Sequence, residues 1–396
     1  MTRLLELLIS MAIVAVLFVI VGVLLPSSRS LTESVETNRK MAIVFDTLNS
    51  FKRFDDWHPF ALGQVRLERS GPESGVGARI DYDSQVSGVG KGSWEIVESE
   101  QDSRVVYRIE DDKRGTDKSS SFTLTPTGRG GRNIEITQNY RVNYGWDLLG
   151  RYAGLYVSRN VGDTMKFGLG RLTNMLASVP NFDYRVEGST LTGLEVVELP
   201  AENLLVVNAG AIERNNEVIK KAMKDNAEWI KRTMDESGLE PIGPMRIVTT
   251  EFARDTYTFD VVQAVRREGE GEDADTDTDT EAAAEVAGAE GDDAGEAAGQ
   301  AVARYTPAAS EAIDEESIKL QGPVTYVRSE PSRVARGNYK GYMAELDAAR
   351  SATRAWAMTQ GEEVVGRPYE YYLNGIDAAF TADGQFQVFW NLKQQP

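Results

Sequence analysis

The chain has 396 residues, 41 % of them hydrophobic and 26 % charged, too long for a single core and divided by composition into two or three domains. Its net charge of -18 is concentrated rather than spread: thirteen carboxylates lie between Glu268 and Glu296 with no Lys or Arg among them. Without a basic cluster there is nothing to neutralise phosphates, which excludes nucleic acid as the expected partner. Cysteine is absent and His58 is the single histidine, so disulfides, thiolate chemistry, Cys-ligated metals and sites with two imidazoles are excluded.

The first element is an apolar run, Leu7 to Leu25, interrupted only by Ser10 and Gly22 and free of charge after Glu6. As a helix it is about 28 Å long, close to the roughly 30 Å hydrocarbon core of a bilayer. Small residues for a cleavage site are missing, so the run reads as a retained transmembrane anchor over residues 4–25 rather than a removed signal peptide. Counting Arg29, Arg39 and Lys40 after the span against Arg3 before it favours a cytoplasmic C-terminal side. Single N-terminal anchors of this shape commonly leave the N-terminus inside. The reading adopted is one pass through an inner membrane, with the soluble part in the periplasm.

A short polar tether follows, then helical spacing at Met41–Phe51 and a break at Asp55-Asp56-Trp57-His58-Pro59. Six strand-like runs come next: 65–69, 78–84, 92–100, 104–111, 120–126 and 133–142, separated by Gly- and Pro-containing turns. A long helical pattern over Trp146–Leu176 closes this part. Gly162, Gly168 and Gly170 inside it predict a kink or close packing. The layout is α+β. With the W-H-P motif at Trp57–Pro59, G-V-G-A at Gly75–Ala78 and G-K-G-S-W at Gly90–Trp94, residues 32–180 resemble the START-like polyketide cyclase/dehydrase superfamily (SRPBCC). The resemblance implies a helix-grip domain whose sheet wraps the C-terminal helix around a hydrophobic ligand cavity.

The second part, 191–396, predicts strand, helix, strand, strand twice: strands at 193–199 and 203–208, a helix at Glu213–Ser237 ended by Gly238, and strands at 245–250 and 256–266. After the acidic stretch come a strand at 332–338, a helix at Tyr342–Thr359, and strands at 369–374 and 385–392. The motifs R-G-N-Y-K-G-Y (Arg336–Tyr342) and G-R-P-Y-E-Y-Y-L-N (Gly366–Asn374) resemble the gyrase-inhibitor-like (GyrI-like) effector-binding domain, which implies a duplicated βαββ unit that holds a small molecule. The insert within it, 268–305, has almost nothing to bury and is expected to be disordered. Its Asp273, Asp275 and Asp277 do not make a calcium loop, because the sixth and twelfth positions hold Thr278 and Ala284.

Candidate ligand residues follow from these parts. On a strand, Glu370 and Tyr372 share one face, and a carboxylate among rings suits a cationic or amphipathic guest; Tyr339, within R-G-N-Y-K-G-Y, and Trp390, on the closing strand, are further candidates. The closing strand, Gln385–Leu392, carries no acid, a departure from multidrug-binding relatives. In the first part Trp57, Trp94 and Tyr107, with Phe122, Tyr140 and Tyr156, are candidates for the cavity wall. His58 is a candidate general base, with an ordinary pKa near neutrality, and Glu370 and scattered carboxylates are the other acid–base groups available. The expectation is a membrane-anchored, non-enzymatic protein that senses or sequesters hydrophobic or amphipathic small molecules, with no cofactor or metal and with a protein as its possible further partner. The alternative is a cyclase, dehydratase or hydrolase working in one of the cavities.

Overall fold

A computed structural model of the chain describes residues 2–61, 65–85, 89–186, 190–252, 255–269 and 304–394. The fold is mixed α+β with two antiparallel sheets, and it divides into two compact units: Met1–Arg185 with Met358–Gly361, and Val186–Ala357 with Glu362–Pro396.

The first unit opens with the apolar helix α1 (Thr2–Leu24), whose side chains are almost all exposed; over Arg3–Leu24 it is long and apolar enough to cross a membrane. The segment read as a tether is instead a strand, β1 (Ser28–Thr37), paired along its whole length with the last strand of the sheet. Its apolar side chains are only Leu31 and Val35, and every second residue faces solvent, so composition gave no sign of the pairing. Then come α2 (Met41–Leu48), a single turn α3 (Phe54–Trp57), and strands β2 (Val65–Ser70), β3 (Arg79–Ser84), β4 (Lys91–Glu100), β5 (Arg104–Asp111), β6 (Thr116–Thr127) and β7 (Asn133–Asn143). The sheet order is β1-β7-β6-β5-β4-β3-β2, a meander closed at one edge by the N-terminal strand.

The long helical pattern is one path in four pieces: α4 (Leu148–Ala153), a 3₁₀ turn at Gly154–Tyr156, a π-helical turn at Ser158–Gly162, and α5 (Asp163–Ala177). A π turn inserts one residue into the ladder and rotates the buried stripe. From there Met165, Leu169, Leu172 and Leu176 all point into the core. Gly168 marks close packing, since a Cβ there would lie 3.1 Å from the Pro59 ring.

The second unit contains β8 (Leu191–Leu199), β9 (Asn203–Glu213), α6 (Asn216–Ser237), β10 (Leu239–Phe252), β11 (Thr256–Arg267), β12 (Thr325–Arg328), β13 (Ser332–Lys340), α7 (Leu346–Thr359), β14 (Val364–Tyr372), a short α8 (Gly375–Ala379) and β15 (Gln385–Leu392). Helix α6 starts where the Asn215 side chain accepts the Glu217 N–H at 2.9 Å and stops at Gly238, whose φ of +60° suits a left-handed cap. The strand order is β12-β9-β11-β10-β14-β15-β13-β8. Each half of the sequence therefore contributes a three-strand block, and the two blocks meet through β10 and β14. Each half also lends one edge strand to the other: β8 pairs with β13, and β12 with β9. Of the acidic insert expected to be disordered, 270–303 lies outside the described residues. Its C-terminal end is attached, because the Tyr305 N–H donates to Gln387 Oε1 at 3.1 Å and the Tyr305 ring meets Tyr371 edge-on at 5.2 Å.

Candidate functional site

In the first unit a cleft runs between α5 and the sheet. Its inner end is a chamber of about 70 Å³, walled by Trp57, Phe60, Trp94, Tyr140 and Met165 among others. Its outer end is a mouth of about 570 Å³. The two share Phe60, Asp111, Lys113, Tyr140, Val161 and Thr164, so they adjoin along that wall.

The inner wall is built from the W-H-P-F sequence. Helix α3 is a single turn that ends when the His58 N–H bonds Phe54 O at 2.8 Å. Pro59 then prevents any continuation. This turn leaves Trp57, His58 and Phe60 clustered. The His58 ring stacks on Phe54 at 4.1 Å and meets Phe60 and Trp94 edge-on, each at 4.7 Å. Strand β4 supplies Trp94 and, two residues earlier, Gly92, where a Cβ would come within 2.5 Å of both the Tyr82 hydroxyl and the Glu110 carbonyl. Glycine thus leaves room for the Tyr82 ring at this point of the strand.

Four polar atoms in and around this wall lack partners among the described residues. The Nε1 atoms of Trp57 and Trp94 are buried donors with no acceptor, and the Tyr82 hydroxyl and Ser93 Oγ are in the same condition. An unmet buried donor costs about 1–3 kcal/mol, so these atoms are unfavourable points within the wall.

Burial lowers the His58 pKa from 6.5 to about 3, so the imidazole is neutral at physiological pH. Its Nδ1 accepts the Phe60 N–H at 3.3 Å. The reading of His58 as a base with a near-neutral pKa is thereby corrected: the apolar wall around it makes it a weak one. Desolvation also raises the Tyr140 phenol above its ordinary value. The ionic groups sit at the mouth, where Lys118 is buried against Asp111 and also donates to Lys113 O at 2.6 Å. Lys113 itself is exposed, with its ammonium 5.6 Å over the Phe60 ring. Among the described residues no group of His, Asp and Glu could hold a metal ion.

Of the sequence candidates, Trp57 and Trp94 line the chamber together, and Tyr140 spans chamber and mouth. Tyr107 lies beneath them: it is 2 % exposed, donates to Leu48 O, and packs its ring against Trp94 and Phe122. Phe122 is core, while Tyr156 is 63 % exposed. Phe60, the Asp111–Lys118 pair and Gln138 were not anticipated. Phe60 carried a readable signal, being the next aromatic after W-H-P.

In the second unit the alternation along β14 is as expected, but the two faces have unequal surroundings. Glu370 and Tyr372 point to the side covered by α7. The Glu370 carboxylate is wholly buried and takes both arms of Arg350, Nη2 at 2.9 Å and Nε on the other oxygen. Tyr372 is 2 % exposed, with its ring edge-on to Phe386 at 5.0 Å. Tyr339 donates to Glu345 Oε2 at 2.9 Å, and Trp390 Nε1 donates to Arg350 O at 2.8 Å. All four are thus engaged by neighbouring protein groups, while Trp390 stays partly exposed and the Tyr372 hydroxyl is buried with no partner among the described residues. The opposite face holds a concavity of about 640 Å³ whose floor includes Arg246, Glu202 and Tyr369. There Arg246 bonds Glu202 at 3.0 Å and the Tyr371 hydroxyl at 3.1 Å, and lies over the rings of Tyr369 and Tyr371.

Comparison with solved structures returns low identities. Norcoclaurine synthase from Thalictrum flavum, solved with dopamine and hydroxybenzaldehyde, is 14 % identical over 38 % of this chain and 87 % of its own, with a TM-score of 0.31. A solution structure from Thermobifida fusca is 20 % identical over 37 % of this chain and 93 % of its own, TM-score 0.29. The C-terminal domain of EcmrR is 10 % identical over 51 % of this chain and 98 % of its own, TM-score 0.33. No curated protein matches the sequence. The family profile described as polyketide cyclase / dehydrase and lipid transport matches residues 28–177, so the stretch from β1 to α5 is a domain of that type.

Proposed function

We propose that this chain is a membrane-anchored binding protein for hydrophobic or amphipathic small molecules, held to the bilayer by α1 and acting without catalysis. The observation that carries the reading is the aromatic chamber with two unpartnered indole N–H groups. It suits a guest with an apolar body and an oxygen acceptor at one end. A catalytic role has less support, because the imidazole that lines the chamber is neutral, with a pKa of about 3, and Asp111 is engaged by Lys118. The second unit is read as a GyrI-like module with its own ligand surface, a reading favoured by the exchange of edge strands between its halves and by the concavity beside Arg246. A periplasmic location for the soluble part remains the orientation expected of a single N-terminal anchor.

The test uses the full chain in detergent micelles and a fluorescent anthroyloxy fatty acid as probe. Wild type should bind it. Trp57→Phe and Trp94→Phe keep the rings and delete the donors, and each should weaken binding about 2- to 10-fold, the worth of one hydrogen bond. Absence of binding, or unchanged affinity in both variants, would refute the assignment of this chamber.

A further inference from the structure

The segment after β7 leaves apolar side chains in solvent while gripping the end of α1. Trp146 is 81 % exposed and Tyr156 63 %, with Leu149 at 53 % and Leu155 at 50 %. Between Trp146 and Gly162 the single acid is Asp147, which caps α4 through the Gly150 N–H at 3.0 Å and pairs with Arg114. A run this apolar and this exposed marks an interaction surface.

Its attachment to α1 is specific. Arg151 is 7 % exposed and donates through Nη1 to Val23 O at 2.8 Å and Leu25 O at 3.1 Å, satisfying carbonyls that the end of a helix leaves open. Its other nitrogens hold Gly145 O at 2.9 and 2.6 Å. Tyr152 stacks on Phe18 with ring centroids 4.3 Å apart, and its hydroxyl donates to Phe18 O at 2.7 Å. Gly22 permits the approach, since a Cβ there would stand 3.2 Å from the Tyr152 ring.

Lengths then set the level of this segment. Phe18 is six residues before Leu24, about 9 Å along a helix rising 1.5 Å per residue. The 22 residues of Arg3–Leu24 make about 33 Å of apolar helix against a hydrocarbon core of about 30 Å. A helix only that much longer than the core cannot hold its last 9 Å clear of the lipid.

We propose that Trp146, Leu149, Leu155 and Tyr156 form a shelf that rests in the interface of a phospholipid bilayer, so that the mouth of the cleft opens at the lipid surface. This rests on the reading of α1 as a membrane span. The occupant is lipid because the shelf is continuous with α1 and is braced against its last two turns. Ala153 and Val157, from the same segment, line the mouth. A guest would thus pass from the acyl boundary into the cleft without crossing bulk water. Trp and Tyr at this level match the aromatic residues that favour membrane interfaces.

The full chain is reconstituted in phosphatidylcholine vesicles containing lipid brominated at shallow acyl positions, and tryptophan quenching is compared between wild type and Trp146→Phe. The shelf predicts a quenched component in wild type that the variant loses. Equal quenching in the two proteins overturns it. Alkaline extraction of the same vesicles separates the two ideas: a chain that is retained but shows equal quenching has an anchor without a shelf, whereas a chain that is released has lost the anchor itself. A second variant, Leu149→Asp with Leu155→Asp, should slow uptake of the fatty-acid probe from vesicles and leave its affinity in micelles unchanged; equal uptake rates count against the proposal.

Discussion

The pairing of Glu370 with Arg350 offers a decisive perturbation, because it separates a structural carboxylate from a ligand-binding one. Glu370 is 0 % exposed and Arg350 5 %, and the carboxylate meets the guanidinium in two-armed geometry. Burial works against the charge on Arg350, yet the attraction and hydrogen bonds of Glu370 outweigh it and hold the guanidinium above its ordinary pKa. Replacing Glu370 with Gln keeps the shape and leaves a buried cation without its anion. Removing one partner of a buried pair costs about 3–5 kcal/mol. At about 1.4 kcal/mol per factor of ten, that corresponds to amide exchange in α7 and β14 faster by roughly two to four orders of magnitude. The double variant Arg350→Met/Glu370→Leu should recover most of the protection, since well-packed apolar residues commonly replace such pairs without loss. The measurement is hydrogen exchange with peptide-level mass spectrometry. If Glu370→Gln exchanges within tenfold of wild type, or if it abolishes ligand binding at unchanged protection, the structural account of this pair is wrong.

The remaining expectations concern the first unit. Because His58 has a folded pKa of about 3 and an unfolded value of 6.5, the unfolded chain binds the extra proton between those limits. Stability contributed by this group is therefore whole above pH 6.5 and falls toward pH 3 by up to about 1.4 kcal/mol per pH unit. His58→Phe should flatten the difference in urea midpoint between pH 7 and pH 5, and an unchanged difference would show that other groups carry it. Gly92→Ala places a methyl 2.5 Å from the Glu110 carbonyl and the Tyr82 hydroxyl. It should cost about 1–3 kcal/mol in urea unfolding, the usual penalty of overpacking.

Most elements were legible because their causes are local. The apolar run of α1, the 3.6-residue stripe of α6 ended by Gly238, and the alternation in β6 and β7 each depend on neighbours in sequence. Strand β1 was not legible. It is an edge strand with two apolar residues, and what makes it a strand is β7, more than a hundred residues away. The same limit governs the sites. Alternation along β14 put Glu370 and Tyr372 on one face correctly, but nothing in that stretch tells which face α7 covers. The partner that neutralises Glu370 is an arginine on α7 twenty positions earlier. Trp57 and Trp94 converge because α3 stops at Pro59 and β4 runs beneath it, a meeting only tertiary structure can arrange.

The dimensions of the cleft constrain the guest further. A chamber of about 70 Å³ holds only a few heavy atoms, whereas ligand pockets usually span about 300–1,000 Å³. The first unit is therefore not hollow in the sense of a wide internal cavity, and any sizeable guest must keep most of its volume in the mouth of about 570 Å³. In the proposed binding mode the small end enters, and the unpartnered indole donors of the wall would favour an acceptor on that end. The apolar body then lies between Val157, Val161 and the Phe60 ring, on the side where Ala153 meets the shelf. Polar end inward and tail toward lipid is the orientation in which a molecule drawn from a bilayer by its headgroup would arrive. It distinguishes this cleft from an enclosed carrier cavity, in which the tail would be buried deepest.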